Sequence, residues 1–374
     1  MIMKQIISFL KKDIVMCISL VLAMISMFIV PPSKEYAHYI DFRTLSLLLC
    51  LMLVMAGFRS LGVFHQLGQV LLRLCHNTRQ IALVLIGLCF FTSMLITNDV
   101  ALITFIPFTI EILMLSNEHK LAIPIIVMQT IAANLGSMLT PLGNPQNLYL
   151  YSLSGVSLGT FIVTMLPYCI LSLVGILLTS LLIAKHAVNT VNESYNTWKI
   201  SGYRLKMILY TLLFFLCLLC VVRILPYQIL LAIVLILIAI LDKKNLAQAD
   251  YALLFTFTFL FIFIGNLSNI DVINAKLAQV IQGHELLSGI LASQVISNVP
   301  AAILLSGFTD NYHDLLISVN LGGLGTLIAS MASLISFKQF CAAYGDSKLK
   351  YLFWFTLTNI AFLIVLYTYA YIVS

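Results

Sequence analysis

Ser93, Thr97 and Asn98 set three neutral oxygens at i, i+4 and i+5, and Ser293, Ser297 and Asn298 repeat the set in the second half of the chain. In a helix, one turn separates the two hydroxyls of each set and puts them on one face. Neutral side-chain oxygens, joined by backbone carbonyls freed where a helix breaks, suit a small hard cation such as Na+. A hydroxyl bonded back to its own helix is the competing role, and the duplication favours the ion. Asp99 follows the first set and is the acidic residue placed deepest in an apolar run. A carboxylate at membrane depth costs several kcal/mol unless it is paired, solvated or protonated. Asp99 therefore reads as a functional group, against the alternative of a cap on the helix that starts beside it. Glu111 sits near the end of the same run, within reach of water. The eight cysteines, Cys217 and Cys220 of a C-x-x-C among them, lie in apolar or interfacial runs and read as packing residues. The seven histidines form no helical pair at ligand spacing, so no resident metal is expected.

These oxygens need interrupted helices to hold them. Asn134 to Asn147 carries two glycines (Gly136, Gly143), two prolines (Pro141, Pro145) and four side-chain amides between long apolar runs. Proline lacks an amide donor and glycine weakens a helix, so the segment unwinds. Inside a bilayer its freed backbone groups must find partners in protein or around a cavity. The run that begins at Asn320 echoes it: Asn134, Leu135, Gly136 and Thr140 align without gaps on Asn320, Leu321, Gly322 and Thr326. Upstream, Ser93-x-x-Ile96-Thr97-Asn98 aligns on Ser293-x-x-Ile296-Ser297-Asn298. Two matched pairs in the same order point to an internal duplication.

The frame around these segments is a bilayer. Hydrophobic residues make up 61% of the chain and charged residues 9%, more apolar surface than a soluble domain of this length can hide. The expected class is an all-α polytopic membrane protein with inverted repeats, two re-entrant hairpins and two broken transmembrane helices. A basic start, Met1 to Lys12, precedes a first, uncleaved span from Ile14 to Val30 and a second from Thr44 to Phe58. Leu61 to Asn77 is an amphipathic helix in the interface, matched by Asp271 to Gly283. Gln80 to Ser116 and Glu285 to Phe308 read as hairpins with polar tips at Thr97-Asn98-Asp99 and Ser297-Asn298-Val299. Leu121 to Leu150 and Leu315 to Phe340 are the broken spans. Leu158 to Ala184, Met207 to Val222, Tyr227 to Leu241, Tyr251 to Ile264 and Tyr351 to Val373 complete nine spans. The division is 1–184, first repeat; 185–226, polar loop and connecting span; 227–374, second repeat. Of the 20 Lys and Arg, all but Lys34, Arg43, Arg223 and Lys276 fall on the side of the N-terminus. That bias sets the N-terminus inside and the C-terminus outside. It also puts the first hairpin on the inner side and the second on the outer side, the arrangement of alternating-access carriers. The net charge of +6 belongs to cytoplasmic loops and calls for no nucleic-acid partner.

The tips Thr97-Asn98 and Ser297-Asn298, each followed by a glycine-rich broken span, resemble the ion transporter superfamily. That group includes divalent-anion:sodium symporters, citrate transporters, arsenite permeases and some sodium/proton antiporters. The resemblance covers nearly the whole chain from Ile14. It implies that Ser93, Thr97, Asn98 and Gly136, with Ser293, Ser297, Asn298 and Gly322, bind Na+. It further implies that Asn98, Asp99, Thr140, Gly143, Asn144, Asn298, Thr326 and Ser330 bind substrate. The symporters carry a Ser-Asn-Thr triplet at each tip. Asp99 and Val299 stand here at its third position, and Thr97-Asn98-Asp99-Val100 resembles the arsenite-permease branch.

The function these residues imply is secondary active transport of a small anion or oxyanion by alternating access, coupled to Na+ or H+, in the cell (plasma) membrane. Arsenite or antimonite efflux and sodium/proton antiport are alternatives within that class. A membrane-embedded enzyme or assembly protein is the alternative outside it, and no nucleophile–base pair or metal cluster within the spans supports one. The expected partners are the lipid bilayer and a small anionic substrate, with a homodimer compatible with the architecture. No cofactor is expected beyond Na+ or H+ as coupling ion.

Overall fold

The computed structural model of the 374-residue chain describes residues 14–72, 75–186 and 202–373. The basic start from Met1 to Lys12, Arg73, Leu74 and most of the polar loop after His186 lie outside the described residues, as do the side chains of Leu71, Val272 and Ile273. The described residues are helical, with no strand among them.

The first half runs α1 (Ile14–Ile29), α2 (Phe42–Ser60), α3 (Val63–Leu72), α4 (Thr78–Ser93), α5 (Asn98–Leu115), α6 (Ala122–Ser137), α7 (Pro145–Ser154) and α8 (Leu158–Ser180). A connecting helix, α9 (Tyr203–Val221), follows. The second half runs α10 (Tyr227–Leu241), α11 (Tyr251–Ser268), α12 (Asp271–Ile281), α13 (Glu285–Ile296), α14 (Asn298–Ser306), α15 (Tyr312–Leu321), α16 (Met331–Ala343) and α17 (Lys348–Val373). Counterparts in chain order differ in length: α5 has 18 residues and α14 nine, α6 has 16 and α15 ten.

Among the described residues, seven helical runs are long and apolar enough to cross a bilayer unaided: α2, α5, the run from His119 through α6, α8, α9, α11 and α17 with the turn before it. The expected spans α1 and α10 have 16 and 15 residues, short of the roughly 20 a simple crossing needs. The expected broken span Leu315 to Phe340 exists only as the pair α15 and α16. α5, expected as one arm of a hairpin, is itself 18 residues long.

Polarity runs opposite to that of a soluble protein. Large apolar side chains face outward on α1, α8, α9 and α17 (Phe28, Val163, Ile208 and Phe353), while Ser93, Gln129, Asn134, Asn147, Ser293 and Asn320 are buried. A chain built for lipid puts its polar groups inside, where each needs a partner. α3 follows the same logic, with Phe64 buried against the core and Leu67 and Val70 exposed, as an interfacial helix requires.

Packing is crossed between the halves. α1 lies along α11, and α10 lies along α2. At the first crossing Asn266 of α11 donates to Ser26 Oγ and Tyr36 OH. α9 packs on α2 so tightly at Gly57 that an added Cβ would overlap the Tyr210 ring. The hairpin arms obey the same exchange: α5 packs on α16 of the second half, and α14 packs on α7 of the first. Each tip therefore meets parts of both halves.

Candidate functional site

The two tips share one backbone device. α5 starts at Asn98 after Thr97 at φ 28°, and α14 starts at Asn298 after Ser297 at φ 74°. Non-glycine residues at positive φ are uncommon, and among the described residues there are four, two of them at these matched positions. Such strain persists only where surrounding structure over-determines it, and it gathers at functional sites. Thr97 Oγ1 accepts from Val100 N at 3.4 Å, and Asn98 Oδ1 accepts from Asp99 N at 3.0 Å. The capping role open to Asp99 is thus filled by Thr97 and Asn98. Among the described residues no hydrogen bond reaches the Asp99 carboxylate.

The first arm of each hairpin is pinned to a broken helix in the same way. Ser93 and Ser293 are buried, and their hydroxyls donate to Phe90 O (2.9 Å) and Gly289 O (2.7 Å) of their own helices. The donor is spent on the helix, which leaves the oxygen lone pairs free. Gly136 lies against Ser93, and Gly322 lies against Ser293, each so closely that a Cβ would collide with the serine hydroxyl. Thr140 Oγ1 donates to Met94 O, and Thr326 Oγ1 donates to Gln294 O at 3.3 Å. These acceptors are the residues directly after Ser93 and Ser293. Gly143 accepts from Asn98 N at 3.0 Å. On the second side Gln294 fills the break, donating to Gly322 O and Leu324 O (both 2.9 Å) and accepting from Thr326 N (2.9 Å). Asn298 reaches the break at Gly323, where a Cβ would meet its amide.

The breaks are tied to each other by a network the sequence did not announce. Asn134 Oδ1 accepts from Asn98 Nδ2 (3.0 Å) and Ser330 Oγ (3.1 Å), while Asn134 Nδ2 donates to Ser333 Oγ (3.3 Å). Its repeat partner Asn320 accepts from Asn144 Nδ2 (3.1 Å) and donates to Asn147 Oδ1 (2.6 Å). In the alignment that pairs Asn134 with Asn320, Asn144 falls on Ser330 and Asn147 on Ser333. Each asparagine thus reads the first turn of the other half's broken helix, and α7 and α16 begin at those residues. Ser330, expected at a substrate site, is one of these cross-ties. Gln146, beside Asn144, is buried with an amide oxygen that has no partner among the described residues, a ready acceptor that sequence reasoning passed over.

A cavity of about 130 Å³ opens beside the first tip. Thr97, Asp99 and Asn144 line it together with Asp250, Arg59 and Gln248. Asp250 is the N-cap of α11, accepts from Leu253 N at 3.1 Å, and lies near enough to act electrostatically on Asp99. Its place in this cavity was not legible in the sequence, where Asp250-Tyr251 marks only a helix start. Tip 1 thus joins Ser93, Thr97, Asn98 and Asp99 to Gly136, Thr140, Gly143 and Asn144. Tip 2 joins Ser293, Ser297 and Asn298 to Gly322 and Thr326. Among the described residues no group of three or more His, Cys, Asp or Glu is placed to hold a metal ion.

An all-helical membrane body with two strained tips set against two broken helices has the build of a carrier of small solutes, and comparison with known proteins agrees that this is a transporter. The citrate transporter family matches residues 1–312, and the chain belongs to that family. It is 34% identical over 324 residues to the uncharacterized transporter MJ0456 of Methanocaldococcus jannaschii, covering 86% of this chain and 88% of that one. It is 30% identical over 323 residues to the inner membrane protein YbiR of Escherichia coli, covering 84% of each. Over 145 residues, 38% of this chain and 29% of the relative, it is 32% identical to the silicon efflux transporter LSI3 of rice, Oryza sativa subsp. japonica.

Proposed function

We propose that the chain is a secondary active transporter that moves a small anion or oxyanion by alternating access, coupled to Na+ or H+. In this reading it spans the plasma membrane with its N-terminus inside, and the hairpins α4–α5 and α13–α14 enter from opposite sides. The two tips form two ion sites related by the repeat. The observation that carries the proposal is the matched geometry of the tips: positive φ at Thr97 and Ser297, with buried Ser93 and Ser293 pressed on Gly136 and Gly322. Neutral oxygens with free lone pairs beside unwound backbone are the ligands expected for Na+ at a broken membrane helix. Substrate meets Asn98, Asp99, Thr140, Gly143 and Asn144 on one side and Asn298 and Thr326 on the other. Reconstitution in proteoliposomes, with Na+ and pH gradients imposed separately, tests the proposal. Flux of a labelled anion should follow at least one gradient and stop when both are collapsed. Flux indifferent to every gradient would remove the coupling.

Efflux of an oxyacid such as arsenite is the second reading. It is favoured by Asp99 and Asp250 lining one cavity with the single cation Arg59, since two carboxylates repel a multiply charged anion. The silicon efflux relative fits that reading. Countertransport of arsenite or silicate, with citrate as competitor, separates the two.

A further inference from the structure

Next to the tip cavity, at the Arg59 end of α2, lies a second pocket of about 400 Å³. It is enclosed by the end of α2, the start of α9 and the turn Lys243–Gln248. Its charged lining is Arg59, Lys206, Lys244 and Asp242. Asp242 is fully engaged, with Lys206 Nζ 3.2 Å from one oxygen and the Tyr210 hydroxyl donating to the other at 2.8 Å. That pair cancels. Arg59 and Lys244 have no carboxylate within 4.0 Å among the described residues, and Arg59 donates only to the Gln248 amide oxygen at 3.4 Å. Two cations with no carboxylate at ion-pair distance among the described residues therefore share one concave site.

The floor beneath them is rigid. Buried Asn245 donates to Leu53 O (2.7 Å) and to Tyr210 OH (2.9 Å), and Tyr210 packs on Gly57. Both cations line the pocket, and a planar guanidinium fork with an ammonium is the donor set that grips a tetrahedral oxyanion. Flanking Lys206, the side chains of Leu205 and Ile208 are 61% and 59% exposed, a surface suited to acyl chains. We propose that this pocket binds a phosphate-class oxyanion, carried either by a phospholipid headgroup or by a free anion of the medium. Basic pockets between membrane helices on the cytoplasmic side recognise anionic headgroups by this chemistry. Arg59 and Gln248 line both cavities, so the occupant would sit against the wall of the tip cavity. Binding here does not depend on what that neighbouring cavity transports.

The test uses the full chain, purified in phosphate-free detergent and delipidated, then melted against inorganic phosphate. In parallel it is melted in nanodiscs of phosphatidylcholine alone and of phosphatidylcholine with phosphatidylglycerol. Arg59→Gln and Lys244→Gln are compared with Lys348→Gln, an exposed cation elsewhere. Saturable stabilisation by phosphate in detergent would identify a free anion as the ligand. Stabilisation confined to phosphatidylglycerol discs would identify a lipid. In either case each pocket variant should weaken the midpoint about fivefold per charge removed, and Lys348→Gln should not. Arg59→Lys keeps the charge and guards against misfolding, with a smaller loss expected. Stabilisation of the wild type by neither probe, or equal stabilisation of wild type and pocket variants, would overturn the proposal.

Discussion

Asn134→Ala takes the crossed network apart at its most connected point. It removes the acceptor for Asn98 Nδ2 and Ser330 Oγ and the donor to Ser333 Oγ and Gly323 O. Side-chain hydrogen bonds between membrane helices average roughly 0.6 kcal/mol, so four give about 2 kcal/mol. Leaving the buried Asn98 amide without its acceptor raises the loss toward about 3 kcal/mol. Asn320→Ala breaks three bonds, from Asn144 and to Asn147 and Leu316 O, and should lose slightly less. Ser330→Ala breaks one of Asn134's bonds and should lose roughly 0.6 kcal/mol. Its effect should largely disappear in the Asn134→Ala background, because the bond is already gone. Reversible unfolding of the purified chain in mixed micelles reads all four variants. If Asn134→Ala fell within about 0.5 kcal/mol of wild type, the range of an ordinary surface substitution, the network would not be what ties the two breaks together.

Gly136→Ala and Gly322→Ala should each destabilise by about 1–3 kcal/mol through overpacking. They should also displace Ser93 or Ser293, so ion dependence of flux should weaken along with the melting temperature. Asn98→Ala and Asn298→Ala should each weaken the dependence of flux on the coupling ion; unchanged Na+ and pH dependence in both would take these residues out of the coupling site. Arg223→Ala loses the guanidinium that donates to Tyr151 O (3.1 Å) and Gly155 O (2.9 Å) and stacks on the Tyr151 ring. The end of α7 should then loosen, with a loss of about 2 kcal/mol read by the same unfolding assay.

The tips and breaks were legible because their signals are local. Proline and glycine forbid a continuous helix at Pro141, Gly143 and Pro145, and Ser-x-x-Ile-Thr/Ser-Asn recurs as a string. The strain at Thr97 and Ser297 is what a polar residue must adopt to turn one hairpin arm into the next, and a repeated string locates it. The cross-ties were not legible, since Asn144 with Ser330, and Asn147 with Ser333, share no side-chain identity. Their partners also lie in the opposite half, joined only by tertiary packing. Helical spacing misled at the first tip: α4 ends at Ser93, so Ser93 and Thr97 share no continuous helical face, whereas α13 runs on past Ser293 to Ile296. Asp250 escaped notice because a cap and a cavity-lining carboxylate look alike in sequence. The lengths of α1 and α10, by contrast, were legible: the apolar runs Ile14 to Val30 and Tyr227 to Leu241 bound them to within a residue.

Asp99 and its tip carry the proposed coupling. If Na+ binds beside this carboxylate, the ion and a proton compete for one charge. Flux in proteoliposomes should then be measured against pH at low and high Na+, in the wild type and in Asp99→Asn. Raising Na+ should shift the wild-type pH optimum toward acid. Thr97 and Asn98 already cap α5, so Asp99→Asn should insert and fold normally yet lose the pH dependence. Near-normal flux by Asp99→Asn that stays as pH-sensitive as the wild type would contradict the assignment of coupling to this tip.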